Sequence, residues 1–201
     1  MGRRIERRGV DTMKIHRAKR LVYLAIASAI LGGVHKTWAA TPDTAHPATV
    51  QYAFTRMGQH PRRLLIDTIN QAHHTLDVAI YDITEWNIVN AIVAAKERGV
   101  KVRIITDAHT SKNHDELEEL QYMARYGIPI MINTHSGIMH LKVAIIDDKV
   151  VTTGSYNFTY SASTINDEVL VIIHDPRSAE QFEKVFNTMW NDHKNFTTWR
   201  G

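Results

Sequence analysis

From residue 50 onward the apolar positions fall into two rhythms. Some recur at every second residue, as in a strand, and others at steps of three and four, as on one face of a helix. Segment 50–54 reads as a first strand. Pro61, pre-set for a first helical turn, opens a helix over 62–72 with Leu64, Leu65, Thr68, Ile69 and Ala72 on one face. Residues 76–83 read as a strand through Leu76, Val78, Ile80 and, less cleanly, Asp82. A helix over 88–98 stops at Gly99, where left-handed backbone is favoured. A strand over 100–106 follows, then a helix over 115–126 ended by Gly127 and a short strand over 128–133. Asp115, Glu116, Glu118 and Glu119 read as the solvated start of that helix, favoured by its dipole. Residues 142–147 and 150–153 read as a hairpin around Asp148-Lys149, 168–174 as a strand, and 178–192, after Pro176, as a closing helix. Strands alternating with helices predict an α/β fold, a central mixed β-sheet flanked by helices on both faces. No internal repeat is visible.

Before residue 50 the rhythm is different. Residues 14–20 are basic, 21–34 form an apolar run of 14, and Thr37-Trp38-Ala39 offers a small-x-small site. This is the pattern of a secretory signal peptide over 1–39, since a membrane span needs about 20 apolar residues. An uncleaved N-terminal membrane anchor is the alternative. Met13-Lys14 would give a leader of ordinary length, and an Arg-rich mitochondrial presequence fits less well because the apolar run is continuous. A linker over 40–49 carries Pro42 and Pro47, and the domain proper is expected over 50–195. The expected destination is the periplasm or the exterior.

Charge changes meaning once the leader is set apart. The 201 residues carry 24 Lys+Arg and 21 Asp+Glu, with a sequence pI near 9.1. Residues 1–39 hold nine of the basic and two of the acidic residues, leaving 15 against 19, a formal −4. A polyanion would therefore need a local positive cleft, because no global field attracts it. The length suits one domain. The absence of cysteine excludes disulfides, thiolate metal sites and a lipoprotein anchor.

The chemistry concentrates late in the chain. His140 and Lys142 are followed by Asp147, then Gly154-Ser155-Tyr156-Asn157, then Asn166-Asp167-Glu168. An imidazole two residues from an ammonium, with a carboxamide and a carboxylate from nearby strand ends, suits attack on phosphorus while its oxygens are held. Imidazole, with an ordinary pKa of about 6.5, has a nucleophilic nitrogen near neutral pH. Lys142, two residues along the same strand and on the same face, can neutralise phosphate oxygens as charge builds. The apolar flank 143–146 implies a strand covered on both sides. Asn157 and Ser155 can hydrogen-bond the phosphate, and Ser155 a neighbouring catalytic side chain. Glu168 can fix the imidazole tautomer by accepting one ring N–H. Asp147, an odd number of residues from Lys142, points the other way and reads as structural, bracing the hairpin. Plainer readings exist: a surface histidine, a surface lysine and a Gly-Ser-x-Asn turn.

Taken together, HxKxxxxD, GSxN and NxE at these distances resemble the signature of the phospholipase D superfamily. The resemblance covers roughly 51–192. It implies a half-domain that dimerises, because the signature occurs once and two copies are needed to build one active site. His140 of one subunit would attack phosphorus, and His140 of the other would protonate the leaving oxygen. Gly154 and Asn166 enter as supporting motif residues. The implied activity is that of a metal-independent phosphodiesterase with no cofactor, resembling the EDTA-resistant bacterial endonucleases. Its substrate would be DNA and RNA, with phospholipid headgroups as the alternative. A non-catalytic envelope-binding protein is the reading from another class.

Two other groups of side chains compete as sites. His73, His74, His109 and His114 are numerous enough to suggest a metal, but their spacing matches no ligand pattern. Tyr156, Phe158 and Tyr160 could stack on bases, although aromatics beside a sheet more often serve the core. Trp86 and Trp199 carry no argument.

Overall fold

The apolar runs form eight strands hydrogen-bonded into one sheet: β1 (Thr49–Phe54), β2 (Thr75–Ile80), β3 (Lys101–Thr106), β4 (Ile130–Asn133), β5 (Lys142–Ile146), β6 (Val150–Gly154), β7 (Val169–His174) and β8 (Phe196–Thr198). This computed structural model describes residues 48–201, all within the compact unit Ala45–Gly201. The strand order is β1-β7-β6-β5-β2-β3-β4-β8. The pairs β2–β3 and β3–β4 are parallel and the other five antiparallel, so the sheet is mixed.

Helices cover both faces. On one lie α1 (Pro61–Asn70), α2 (Trp86–Glu97), α3 (His114–Arg125) and the single-turn α4 (Tyr160–Thr164). Leu65, Ile69, Ile88, Ile92, Leu120 and Met123 from these helices meet Leu76, Val78, Ile80, Ala144 and Ile146 from the sheet. On the other lies α5 (Pro176–Asn191), whose Ala179 and Phe186 meet Ala79, Ile105, Val143 and Ile145. Successive residues of β5 thus enter opposite cores, and all five are buried. The period of two explains why this strand reads as a continuous apolar run. Asp77, buried in β2, is matched by Arg103 of β3 through two hydrogen bonds of 2.7 and 2.8 Å. Pro61 sits in a first turn as expected; Pro176, expected to precede the closing helix, opens its first turn instead, and Asp175 caps α5 through the Ser178 N–H.

The expected α/β architecture stands, with differences of detail. β2 ends at Ile80, and Ile83 makes only an isolated bridge with Phe158. The β5–β6 turn is centred one residue earlier than expected, with Asp147 and Asp148 both at φ 53°. The sheet continues past residue 195, since β8 pairs with β4. The acidic run at the start of α3 is only half solvated: Asp115 and Glu118 are exposed, but Glu116 and Glu119 are buried. The leader expected over 1–39 and nearly all of the linker lie outside the described residues. Among the described residues, no helix is long and apolar enough to cross a membrane.

Candidate active site

At one end of β5 the apolar run stops at a buried ammonium. Lys142, 8% exposed, pairs with Ile80 at the end of β2. Its Nζ donates to the His140 carbonyl at 3.0 Å and lies 4.9 Å from the centre of the Tyr81 ring. Burial lowers its pKa, while Glu168 and Asp82 pull in the opposite direction. Asp82 is the reciprocal case, raised by burial and held back by Lys142.

His140 stands just before β5, not within it, and its side chain is exposed. Its ring lies 4.6 Å from that of Tyr81, at 60°. The path into His140 is fastened from β3 and β4. The buried carboxylate of Asp107 accepts from the N–H of Met139 at 2.8 Å and from those of His109 and Thr110. Asn133 accepts from Ala108 and donates to the Gly137 carbonyl. The shared face of His140 and Lys142 therefore comes from a pinned loop entering a strand, where a strand through both had been expected.

Gly154 closes the next segment onto β7. Its φ is 129°, and a Cβ there would stand 2.1 Å from the Val169 carbonyl oxygen. Only glycine lets the N–H groups of Ser155 and Tyr156 both reach that oxygen, at 3.1 and 3.3 Å. Ser155 Oγ then donates to Glu168 Oε2 at 2.5 Å and accepts from the Val169 N–H. Asn166 Nδ2 donates to Glu168 Oε1 at 3.1 Å. Both Glu168 oxygens are engaged from their own side of the cleft, and His140 is not among their partners. Asn157 stands differently: its Oδ1 is buried and accepts no hydrogen bond among the described residues. A cleft of about 210 Å³ opens between Ser155 and 167–169 on one side and 54–57 on the other.

Asp147 lies at the far end of β5. Its carboxylate accepts from the N–H groups of His73, His74 and Thr75 at 2.7–2.9 Å, tying the hairpin to the start of β2. Burial raises its pKa, but the three donors outweigh that and hold it below the usual carboxylate value.

The other expectations divide. Tyr156 and Phe158 are buried, 1% and 0% exposed, so neither offers a stacking face. Tyr160 is 61% exposed. Among the described residues, no group of three or more His, Cys, Asp or Glu is gathered to hold a metal ion. Four residues beside the site were not foreseen: Tyr81, Asp82, Asp107 and Asn133. The visible signal was a polar residue closing each apolar strand, namely Asp82 after β2, Asp107 after β3 and Asn133 at the end of β4.

Residues 65–190 match the family described as "Cardiolipin synthase, PLD-like domain". A phospholipase D of Rickettsia prowazekii is 37% identical over 121 residues, 60% of this chain and 58% of that one. A mitochondrial cardiolipin hydrolase of Chlamydomonas reinhardtii is 30% identical over 129 residues, 64% and 57% of the two chains. The chain thus spans less than three fifths of the length of these curated relatives. Among solved structures, Nuc from Salmonella typhimurium, a phospholipase D family member, aligns with a TM-score of 0.71 at 33% identity, covering 77% of this chain and all of the other. The family match runs from within α1 to near the end of α5 and takes in the whole cluster around Lys142. The chain belongs to the phospholipase D-like family.

Proposed function

We propose that the protein is a phosphodiesterase which cuts DNA, and RNA, as a non-specific endonuclease, without a metal ion, through a phosphohistidine. Phosphodiester hydrolysis is the coarser part of this reading and follows from the family. The observation that carries it is an exposed imidazole beside a buried ammonium, with no carboxylate bonded to that imidazole among the described residues of its own chain. A lone set of this kind is half a site. A second copy across a two-fold axis would supply the missing acid and bring a second Glu168 toward the first His140.

In the first step an imidazole nitrogen of His140 bonds to phosphorus, and the bond to the leaving oxygen breaks. His140 of the second copy, protonated, gives its proton to that oxygen. Lys142 neutralises the non-bridging oxygens, and the amide of Asn157 donates to them. In the second step the now neutral second imidazole takes a proton from water. The water oxygen bonds to phosphorus, and His140 is released. Identical groups in opposite protonation states titrate as a coupled pair. Phe54 and Met57, both large, apolar and exposed, line the cleft beside Ser155 and Glu168 and offer a surface for the second copy.

The nuclease reading draws on the likeness to Nuc. The second reading, hydrolysis of phospholipid headgroups, is favoured by the names of the curated relatives. The test is to incubate the purified protein, in EDTA, with plasmid DNA and separately with phosphatidylcholine or cardiolipin vesicles, alongside His140→Asn. DNA cleavage that the substitution abolishes supports the nuclease. Lipid turnover without DNA cleavage selects the second reading. Inactivity on both discards the enzyme in favour of a binding protein. An active enzyme that sediments strictly as a monomer would remove the shared site. We further propose that 1–39 directs export; the sequence of the mature N-terminus tests this.

A further inference from the structure

We propose that Tyr81 is a positioning residue, whose ring sets the His140 imidazole and the Lys142 ammonium so that both meet one phosphate. Its chemistry rests on the phosphodiesterase reading, whereas its geometry does not. Tyr81 is the first residue past β2, and its backbone is held from two sides. Its N–H donates to the Leu141 carbonyl at 2.9 Å, one rung beyond the Ile80–Lys142 pair. Its own carbonyl accepts from Thr110 Oγ1 at 2.7 Å, which ties it to the connection between β3 and α3. The half-buried ring therefore hangs from a fixed backbone.

Both working groups of the site lean on that ring. The imidazole is 4.6 Å away between ring centres, and the ammonium is 4.9 Å from the same centre, inside the ~6 Å reach of a cation–π contact. The imidazole needs such support. It is exposed, lies outside a strand, and among the described residues no side chain hydrogen-bonds its ring. The ammonium needs it for a different reason, since burial strips its water and, among the described residues, only one hydrogen bond, to the His140 carbonyl, is in place. A flat, electron-rich face serves both at once. The phenol hydroxyl has no part in this, so phenylalanine should substitute and leucine should not.

The test uses the full chain as wild type, Tyr81→Phe and Tyr81→Leu, read in two ways. First, the ring protons of His140 are assigned by NMR. In wild type and Tyr81→Phe they should be displaced by the neighbouring ring, and in Tyr81→Leu they should return toward random-coil positions while the amide spectrum elsewhere is kept. Second, kcat and KM are measured on plasmid DNA in EDTA. Tyr81→Leu should lower kcat roughly 100-fold with KM changed less than about 3-fold, the size expected of misplacement by about 1 Å, and Tyr81→Phe should stay within about 3-fold of wild type. Should Tyr81→Leu lose the folded amide spectrum, Tyr81→Met, flexible and apolar, is read in its place. Unmoved His140 ring protons together with unchanged kcat in the leucine variant would overturn the proposal. Equal damage from phenylalanine and leucine would overturn it too, by assigning the role to the hydroxyl. If wild type cuts no DNA, the nuclease reading fails alone, and the ring-proton shifts still decide whether Tyr81 holds His140.

Discussion

Lys142, which opens β5, and Asp147, the first residue past it, are five residues apart and solve opposite problems. At Asp147 a charge meets three N–H donors, and its pKa falls. At Lys142 a charge is buried with one hydrogen bond and a ring face, and its pKa falls for the opposite reason, loss of water. For a carboxylate a lowered pKa means the folded state favours the charged form; for an ammonium it means the folded state disfavours it. The difference separates a fastening from a working group. One end spends its charge holding the chain together, and the other keeps its charge under-satisfied for an anion still to arrive. Glu116, one layer behind, belongs with the second end. It accepts from Thr106 Oγ1 at 2.6 Å, its other oxygen has no hydrogen-bond partner among the described residues, and burial near Asp82 and Asp107 pushes it up to about 8.

Lys142→Met gives the largest effect and the sharpest test of this contrast. Methionine keeps the length and the apolar stem and removes the charge. DNA cleavage in EDTA should fall about 1,000-fold, the scale of losing one transition-state charge contact. Thermal unfolding should stay within about 3 °C or rise, because a desolvated ammonium no longer has to be buried. A loss of activity that merely tracks a large drop in stability would make Lys142 a fastening like Asp147 and erase the distinction.

How much of this could be read beforehand depends on whether the cause is local. The strand β5 was legible because both its faces enter apolar cores, and the site because its side chains are grouped along the chain from His140 to Glu168. The structural reading of Asp147 came from counting an odd number of residues from Lys142; the residue lies just past β5 at φ 53°, and its carboxylate accepts from the N–H groups of His73, His74 and Thr75. What escaped was set by partners far off in sequence. Tyr81 is 59 residues from His140 and acts through a ring contact that no spacing announces. Glu116 and Glu119 looked solvated because four acidic residues at the start of a helix ordinarily are; only the packing of α3 on the sheet buries them. The three-residue β8 has no period to detect, and its place beside β4 is fixed by pairing.

Glu116→Gln gives the next effect and tests the electrostatics behind the site. The folded-state pKa of about 8 lies above the ordinary 4.5, so the folded state holds a proton that the unfolded chain releases. Its contribution to stability is complete below pH 4.5, declines as pH rises toward 8, and is flat beyond. Glu119, pushed to about 7 by burial, has the same sign. Wild type should therefore lose stability between about pH 4.5 and 8, with Glu116 contributing on the order of 3 kcal/mol. Glutamine cannot ionise and still accepts from Thr106. Urea midpoints measured across this range should fall less steeply in the variant. Parallel lines for the two proteins would mean that Glu116 is ionised in the folded state and that the region behind Lys142 is better solvated than its burial implies.

Asp147→Ala should give the smallest effect, and its weight falls on the other quantity. Alanine leaves the N–H groups of His73, His74 and Thr75 without their acceptor, in a region exposed enough for water to replace part of the loss. The cost should be about 2 kcal/mol at neutral pH, visible as a lowered urea midpoint, with kcat unchanged wherever the variant is folded. The sign with pH runs opposite to that of Glu116. A carboxylate whose folded-state pKa is depressed stabilises above its unfolded value near 3.8, and that contribution is lost as pH falls through the folded value. The gap between wild type and variant should therefore be full at pH 6 and narrow toward pH 3. A gap independent of pH would show that alanine acts by disturbing the left-handed turn at Asp147, where φ is 53°, and not by removing the charge that clamps the start of β2. A fall in kcat at full folding would be the more damaging result, because it would place chemistry at the end of β5 assigned to fastening.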